Sequence, residues 1–171
     1  YSTTFSSKGM STIAGGNGPG SATNQFSWPR DVALDNVGSI YVSDNNRIMK
    51  WVPGENNGTV LLSIVGLQFI HIDSSGNIYA SEIDTGYERV MKYTLQLDGS
   101  YISSLVAGGN NMGSGNNQTW SIANITVDSS ENIYVADRNN HRIMKWTPGA
   151  SEGIMVAGTG TMGLGNNQFN A

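Results

Sequence analysis

Cysteine is absent from the chain, and histidine occurs only as His71 and His141. A disulfide framework, a thiolate nucleophile and a Cys-ligated zinc are therefore excluded, and two imidazoles are too few for a His-rich catalytic metal site. Charge is scarce as well. Only 13% of the 171 residues are charged, and the net −4 lacks the positive field that nucleic-acid binding requires. The most apolar stretch, 60–72, is broken by Ser63, Gly66, Gln68 and His71, so it does not read as a membrane span. No basic segment followed by an apolar one stands after Tyr1, so no signal peptide is visible. Apolar residues at helical spacing are nowhere sustained over roughly a dozen positions, which argues against a helical domain.

What is abundant is glycine and asparagine, 22 and 19 residues, set between short alternating apolar runs that read as strands. These runs repeat. Arg47-Ile-Met-Lys-Trp51 returns as Arg89-Val-Met-Lys-Tyr93 and as Arg142-Ile-Met-Lys-Trp146, at intervals of 42 and 53 residues. Before each lies Ser39-Ile-Tyr-Val-Ser-Asp44, Asn77-Ile-Tyr-Ala-Ser-Glu82 or Asn132-Ile-Tyr-Val-Ala-Asp137, and earlier still an apolar segment ending in Asp35, Asp73 or Asp128. Each unit closes on a further apolar segment, which makes four short strands per unit. Such a unit is too small to bury its own faces, and units of this period pack around an axis as propeller blades. The expected fold is all-β, a β-propeller of four-stranded antiparallel blades.

The run from Pro29 to Trp51 resembles an NHL repeat, and so does the run from Asn124 to Trp146, which contains the tripeptide Asn140-His-Arg142. The resemblance covers nearly the whole chain. Glu131 departs from it, standing where the other units have the turn glycines Gly38 and Gly76, and Glu82 stands where its neighbours have Asp. The resemblance implies a ring of six blades, of which this chain supplies part of one propeller. Its expected blades are 29–65, 66–107 and 122–157, with 1–14 as the outer strand of a preceding blade and 158–171 as a link toward a next one. A fragment of a longer ring is favoured over a half-ring that self-associates to close, because open strand edges are costly.

With the strands of a blade named a to d from the axis outward, the b–c turns share one face with the d–a links between blades. Two of those links, 15–28 and 108–121, are long and rich in Gly and Asn, as is the segment 158–171; the link into the middle blade is nearly absent. Loops on a rigid scaffold are where binding residues concentrate. The candidate binding face therefore comprises Arg30, Asp44, Asn45, Asn46, Arg47, Glu82, Arg89, Asp137, Arg138, Asn139, Asn140, His141 and Arg142. Within it the Asp…Arg pairs recur in every unit, and repetition favours a structural brace over a ligand contact.

Other features read as structural. Gly158-Thr-Gly-Thr-Met-Gly163 matches G-x-G-x-x-G, but the residues after it cannot open the helix that a dinucleotide site needs. His71, alone in an inner strand, is expected to bond to a neighbouring blade, and His141 to sit in a surface turn. No calcium-loop spacing appears among the Asp- and Asn-rich turns. Trp51, Tyr93 and Trp146 share one repeat position, which reads as packing between blades. Trp28 and Trp120 lie in the links, either exposed or stapling them down. Three N-x-[ST] sequons, at Asn57, Asn117 and Asn124, are what chance gives in so Asn-rich a chain.

The functional expectation is a non-catalytic interaction scaffold for a protein or peptide, with no metal and no cofactor. Two alternatives follow from the resemblance. One is an RNA-binding NHL domain of a regulatory or ubiquitin-ligase-type protein, against which the acidic neighbours of each Arg argue. The other is part of a metal-dependent NHL-type lyase whose ligands lie in blades outside this chain. Compartment is left open, with composition leaning to an extracellular or cell-surface setting.

Overall fold

The structure is a computed structural model that describes Gly9 and residues 11–170. Twelve strands form three four-stranded sheets, each meandering in sequence order. The first comprises β1 (Pro29–Leu34), β2 (Ile40–Asp44), β3 (Arg47–Trp51) and β4 (Thr59–Ser63). The second comprises β5 (Leu67–Ile72), β6 (Ile78–Asp84), β7 (Tyr87–Leu95) and β8 (Tyr101–Gly108). The third comprises β9 (Ile122–Val127), β10 (Ile133–Asp137), β11 (Arg142–Trp146) and β12 (Ile154–Gly158). Among the described residues the only helix is one 3₁₀ turn, Arg138–Asn140. All pairings are antiparallel, and each third strand shifts register against its fourth at the same place, before Met49, Met91 and Met144. The inner strand β5 packs against both β1 and β9, so the three sheets stand side by side around a common axis as blades. The expected outer strand over 1–14 falls mostly outside the described residues, and its described part, 11–14, is irregular.

Alternation along each strand gives every blade two apolar flanks, one for each neighbour. Tyr41 and Ile48 of the first blade meet Leu67, Ile70, Ile72, Ile78 and Ala80 of the second. Tyr79 and Val90 of the second meet Ile125, Val127, Ile133, Met144 and Trp146 of the third. Neighbouring blades cover both flanks only in the middle blade; on the other flank of the first, Ala14 and Phe26 pack on Val42, Met49 and Trp51. Val32 and Leu34, at the repeat positions of Ile70 and Ile72, are 61% and 64% exposed on the open flank of the first. The ring is incomplete.

Turn chemistry repeats with the sheets. Asp35, Asp73 and Asp128 each accept two amide N–H groups of the following turn, and the hydroxyls of Tyr41, Tyr79 and Tyr134 donate back to them. This closes the a–b turn from both sides. Burial alone would raise the Asp35 carboxyl, but hydrogen bonds from Ser39, Lys50 and the Val37 amide hold it at about 2. The bond from the Asn132 side chain outweighs the desolvation that opposes it, and with the Asn132 and Ser130 amides and Tyr134 it holds Asp128 at about 2 as well. Glu131 takes the left-handed conformation of the turn glycines it replaces, at φ 59°, and its carboxylate meets Lys92 of the middle blade at 2.8 Å. The departure from the repeat thus strains one turn and ties two blades together.

Candidate functional site

At the end of β2, Asp44 is fully buried, and Arg47 opens β3 directly across the ladder. Asp44 Oδ2 accepts Nε and one terminal nitrogen of Arg47 at 2.9 and 2.8 Å, while Oδ1 accepts the amides of Ser27 and Trp28 at 2.8 and 2.6 Å. The rest of the guanidinium points into the link before the blade, donating to the carbonyls of Gly20, Ser21 and Gln25. The third blade repeats the device. Arg142 donates to Asp137 at 2.8 Å and to the carbonyls of Ser114, Gly115 and Gln118, and Asp137 accepts the Trp120 amide at 2.8 Å. Asn140 adds its amide to both Asp137 oxygens and to the Gly113 carbonyl. A planar five-donor fork suits a loop whose carbonyls all turn inward, a task a lysine could not perform.

The middle blade has no such loop, because its link is reduced to 64–66. Gly66 makes that shortcut at φ +74°, with the Ile83 carbonyl so close that a Cβ would overlap it. Glu82 accepts Arg89 at 2.8 Å, but no link amide reaches its second oxygen; the Tyr93 hydroxyl donates to it instead, at 2.5 Å. Glu82 for Asp and Tyr93 for Trp are therefore one coupled change. The longer carboxylate and the phenol together replace the donors lost with the loop. The short bond and burial raise the Tyr93 phenol far above its ordinary value, burial contributing most.

The candidate residues divide by accessibility. Asp44, Glu82, Asp137, Asn140 and Arg142 are buried, and Arg47, Arg89 and His141 are partly so. Arg30, Asn45, Asn46, Arg138 and Asn139 are exposed. The acceptors of the buried carboxylates are spent on the brace, so the Asp…Arg pairs serve the fold. The exposed members hold the chain: Asn45 donates its backbone N–H to the Trp28 carbonyl and Asn139 its own to the Trp120 carbonyl, while Arg138 donates to the Ser121 hydroxyl.

Three expectations change. His141 does sit in a turn but is partly buried rather than at the open surface: it ends the 3₁₀ turn in the left-handed region at φ 47°, and its Nδ1 is shielded from solvent. His71 is half-buried and packs edge-on against Tyr79 of its own blade, centroids 6.2 Å apart, and burial lowers its pKa despite the charge of Asp73. The long links also do not stay on the b–c face. Thr23 and Asn116 accept the amides of Gly58 and Gly153 near the c–d turns, so each link runs down the flank of its blade as a wedge. Phe26 lies on Trp51 there, centroids 4.9 Å apart, and Gly58 and Gly153 lie so close to Trp51 and Trp146 that a Cβ would clash.

Sequence reasoning left Trp28 and Trp120 undecided. The two residues are 64% and 48% exposed, while their backbones are pinned by Asp44 and Asp137. The segment 158–170 has no helix after its glycines, only a loop closed by a parallel bridge between Met162 and Phe169, the same bridge that closes the two earlier links at Pro19–Phe26 and Met112–Thr119. Among the described residues no three His, Asp or Glu side chains converge as metal ligands would, and no helix is long and apolar enough to cross a membrane.

Residues 119–146 match the NHL repeat model. No curated protein matches the chain significantly. Among solved structures, an auxiliary nutrient binding protein from Bacteroides ovatus is similar over 80% of this chain and 37% of its own, at 17% identity and a TM-score of 0.61. A gluconolactonase from Xanthomonas campestris is similar over 78% of this chain and 48% of its own, at 16% identity and a TM-score of 0.58. A putative glucose dehydrogenase from Thermus thermophilus follows at 15% identity and a TM-score of 0.52, over 80% and 45%. The chain spans less than half the length of each, and these similarities concern the fold, which serves enzymes and binding proteins alike. Residues 119–146 match an NHL repeat, and the chain is an incomplete β-propeller with three four-stranded blades among its described residues.

Proposed function

We propose that this part of the propeller is a non-catalytic scaffold that binds a protein or peptide through the face carrying the b–c turns and the link ends. The observation that carries the reading is Trp120. Both blades flanking its link are in place, yet the residue stays 48% exposed on a backbone held by the Asp137 carboxylate and the Asn139 amide. A rigid, exposed tryptophan presents a large contact area at little entropic cost, which is the character of an interface anchor. Met112 of the same link, 45% exposed, and the polar Arg138 and Asn139 beside it supply an apolar centre with a polar rim. The burial of Asp44, Glu82 and Asp137 in ion pairs supports a non-catalytic role, since none offers a free carboxylate. The acidic partner of each brace arginine likewise disfavours a phosphate backbone.

Panning a random dodecapeptide library against the whole chain tests this reading. Enriched peptides should lose at least about tenfold in affinity on Trp120→Ala, with circular dichroism unchanged. Absence of any enriched sequence, or equal affinity for the variant, would remove the reading.

A further inference from the structure

The three brace arginines are not enclosed alike. The links before the first and third blades each turn three carbonyls onto one guanidinium, and two positions are common to both: Ser21 and Gln25 on Arg47, Ser114 and Gln118 on Arg142. One side chain closes each loop. Gln25 donates its side-chain N–H to the Asn17 carbonyl at 2.9 Å, and Gln118 to the Asn110 carbonyl at 2.8 Å. The guanidinium is thus received by a nine-residue turn, Asn17–Gln25 or Asn110–Gln118, with Asn first, Ser fifth and Asn-Gln last.

Arg89 of the middle blade has no such turn around it. Its Nε and one terminal nitrogen approach Glu82 Oε2, each at 2.8 Å, and the other terminal nitrogen donates to the Tyr87 hydroxyl at 3.3 Å. Among the described residues no backbone carbonyl accepts from it. Its side chain is 33% exposed, against 14% for Arg47 and 7% for Arg142. Blades already stand on both sides of this one, so completing the ring does not cover the fork. Its surroundings select the kind of acceptor. Glu82 is paired with it, and the Tyr87 hydroxyl that accepts from Arg89 donates in turn to Asp84 at 2.9 Å. Two carboxylates beside one guanidinium repel a further anion and leave neutral carbonyl groups as the matching acceptors.

We infer that Arg89 is a docking site for a neutral, Asn-, Ser- and Gly-rich turn of a partner protein, which sets converging backbone carbonyls on the exposed edge of the guanidinium. The two links of this chain are the template for the occupant. A planar fork with fixed N–H directions recognises such carbonyls where a point charge would not, and the Tyr87 ring, 5.2 Å from Arg89 Cζ, backs that fork from one side. The inference rests on the reading of this face as a peptide-binding one, but it places the contact on the middle blade and not at Trp120.

The probe is a synthetic peptide of residues 108–119, capped at both ends and stopping short of Trp120, titrated into the whole chain at millimolar concentration. The Arg89 Nε–Hε resonance should shift saturably. Arg89→Lys keeps the charge beside Glu82 but loses the fork, and should weaken binding at least about tenfold. A peptide with Gln118→Ala keeps every carbonyl but loses the bond that closes the turn, and should bind at least about tenfold more weakly as well. This second variant leaves the protein unchanged, so it tests the site even where Arg89→Lys does not fold. No saturable shift at Arg89, or equal affinity with either variant, overturns the inference. Trp120→Ala in the chain should leave this binding as it was. Binding that is lost with Trp120→Ala and never moves the Arg89 resonance overturns the docking site while the peptide-binding reading survives. Failure of the Trp120 anchor in library panning leaves a positive result at Arg89 intact.

Discussion

The middle blade shows how a departure from a repeat is compensated by a few atoms. Losing the link removed the amides that hold Asp44 and Asp137, and the Glu82–Tyr93 pair restores a donor to the second carboxylate oxygen. Tyr93→Phe should therefore leave a buried acceptor unpaired and cost about 1–3 kcal/mol in urea denaturation. A loss below about 0.5 kcal/mol would mean that water serves the oxygen instead. Glu82 was legible in the sequence as a departure and Tyr93 as an aromatic at the shared repeat position, but their coupling was not. Residues 82 and 93 lie on different strands, and the repeat pattern cannot say that a phenol reaches back along the ladder to a carboxylate.

The unit that organises the loop-bearing side is the link wrapped on an arginine. Its stability rests on a buried ion pair whose remaining donors are spent on backbone carbonyls, so removing the carboxylate strands a charge in a dry site. Asp137→Ala should cost about 3–5 kcal/mol by chemical denaturation. Glu82→Ala should cost clearly less, because the Arg89 side chain is 33% exposed against 7% for Arg142. Equal losses would show that solvent access does not set the worth of these pairs. The brace was legible in the sequence because Asp and Arg recur at the ends of strands b and c. That its arginine faces the link rather than solvent was not, since sequence repetition marks the pair without marking what encloses it.

Across the whole molecule, the a–b turns make the fold sensitive to acid. Asp35 and Asp128 are held at about 2 when folded, below the ordinary 3.8. A carboxyl depressed in this way contributes stability that is complete above the unfolded value and lost as pH falls toward the folded one. The urea midpoint should thus drop between about pH 5 and pH 2. The double variant Asp35→Asn, Asp128→Asn, which keeps the side-chain acceptors, should flatten that drop, and parallel curves for the two proteins would refute the assignment. The incomplete ring is visible at this scale too. Identical repeat positions are buried in the middle blade and exposed on the outer flanks, as Ile70 and Val32 show.

The sequence by itself determined the four-strand unit, its repetition and the propeller. Those follow from local alternation, turn residues and a motif recurring at a fixed place, all of which are properties of neighbours along the chain. The tertiary structure alone decided which of the polar residues on the loop-bearing face are available. Asp137 and Arg138 are adjacent and equally polar, yet one is fully buried in a brace and the other exposed. It decided likewise that Trp146 is sealed between blades while Trp120 faces solvent. Burial depends on which segments pack against a side chain from far away in sequence, and no pattern within a repeat encodes that.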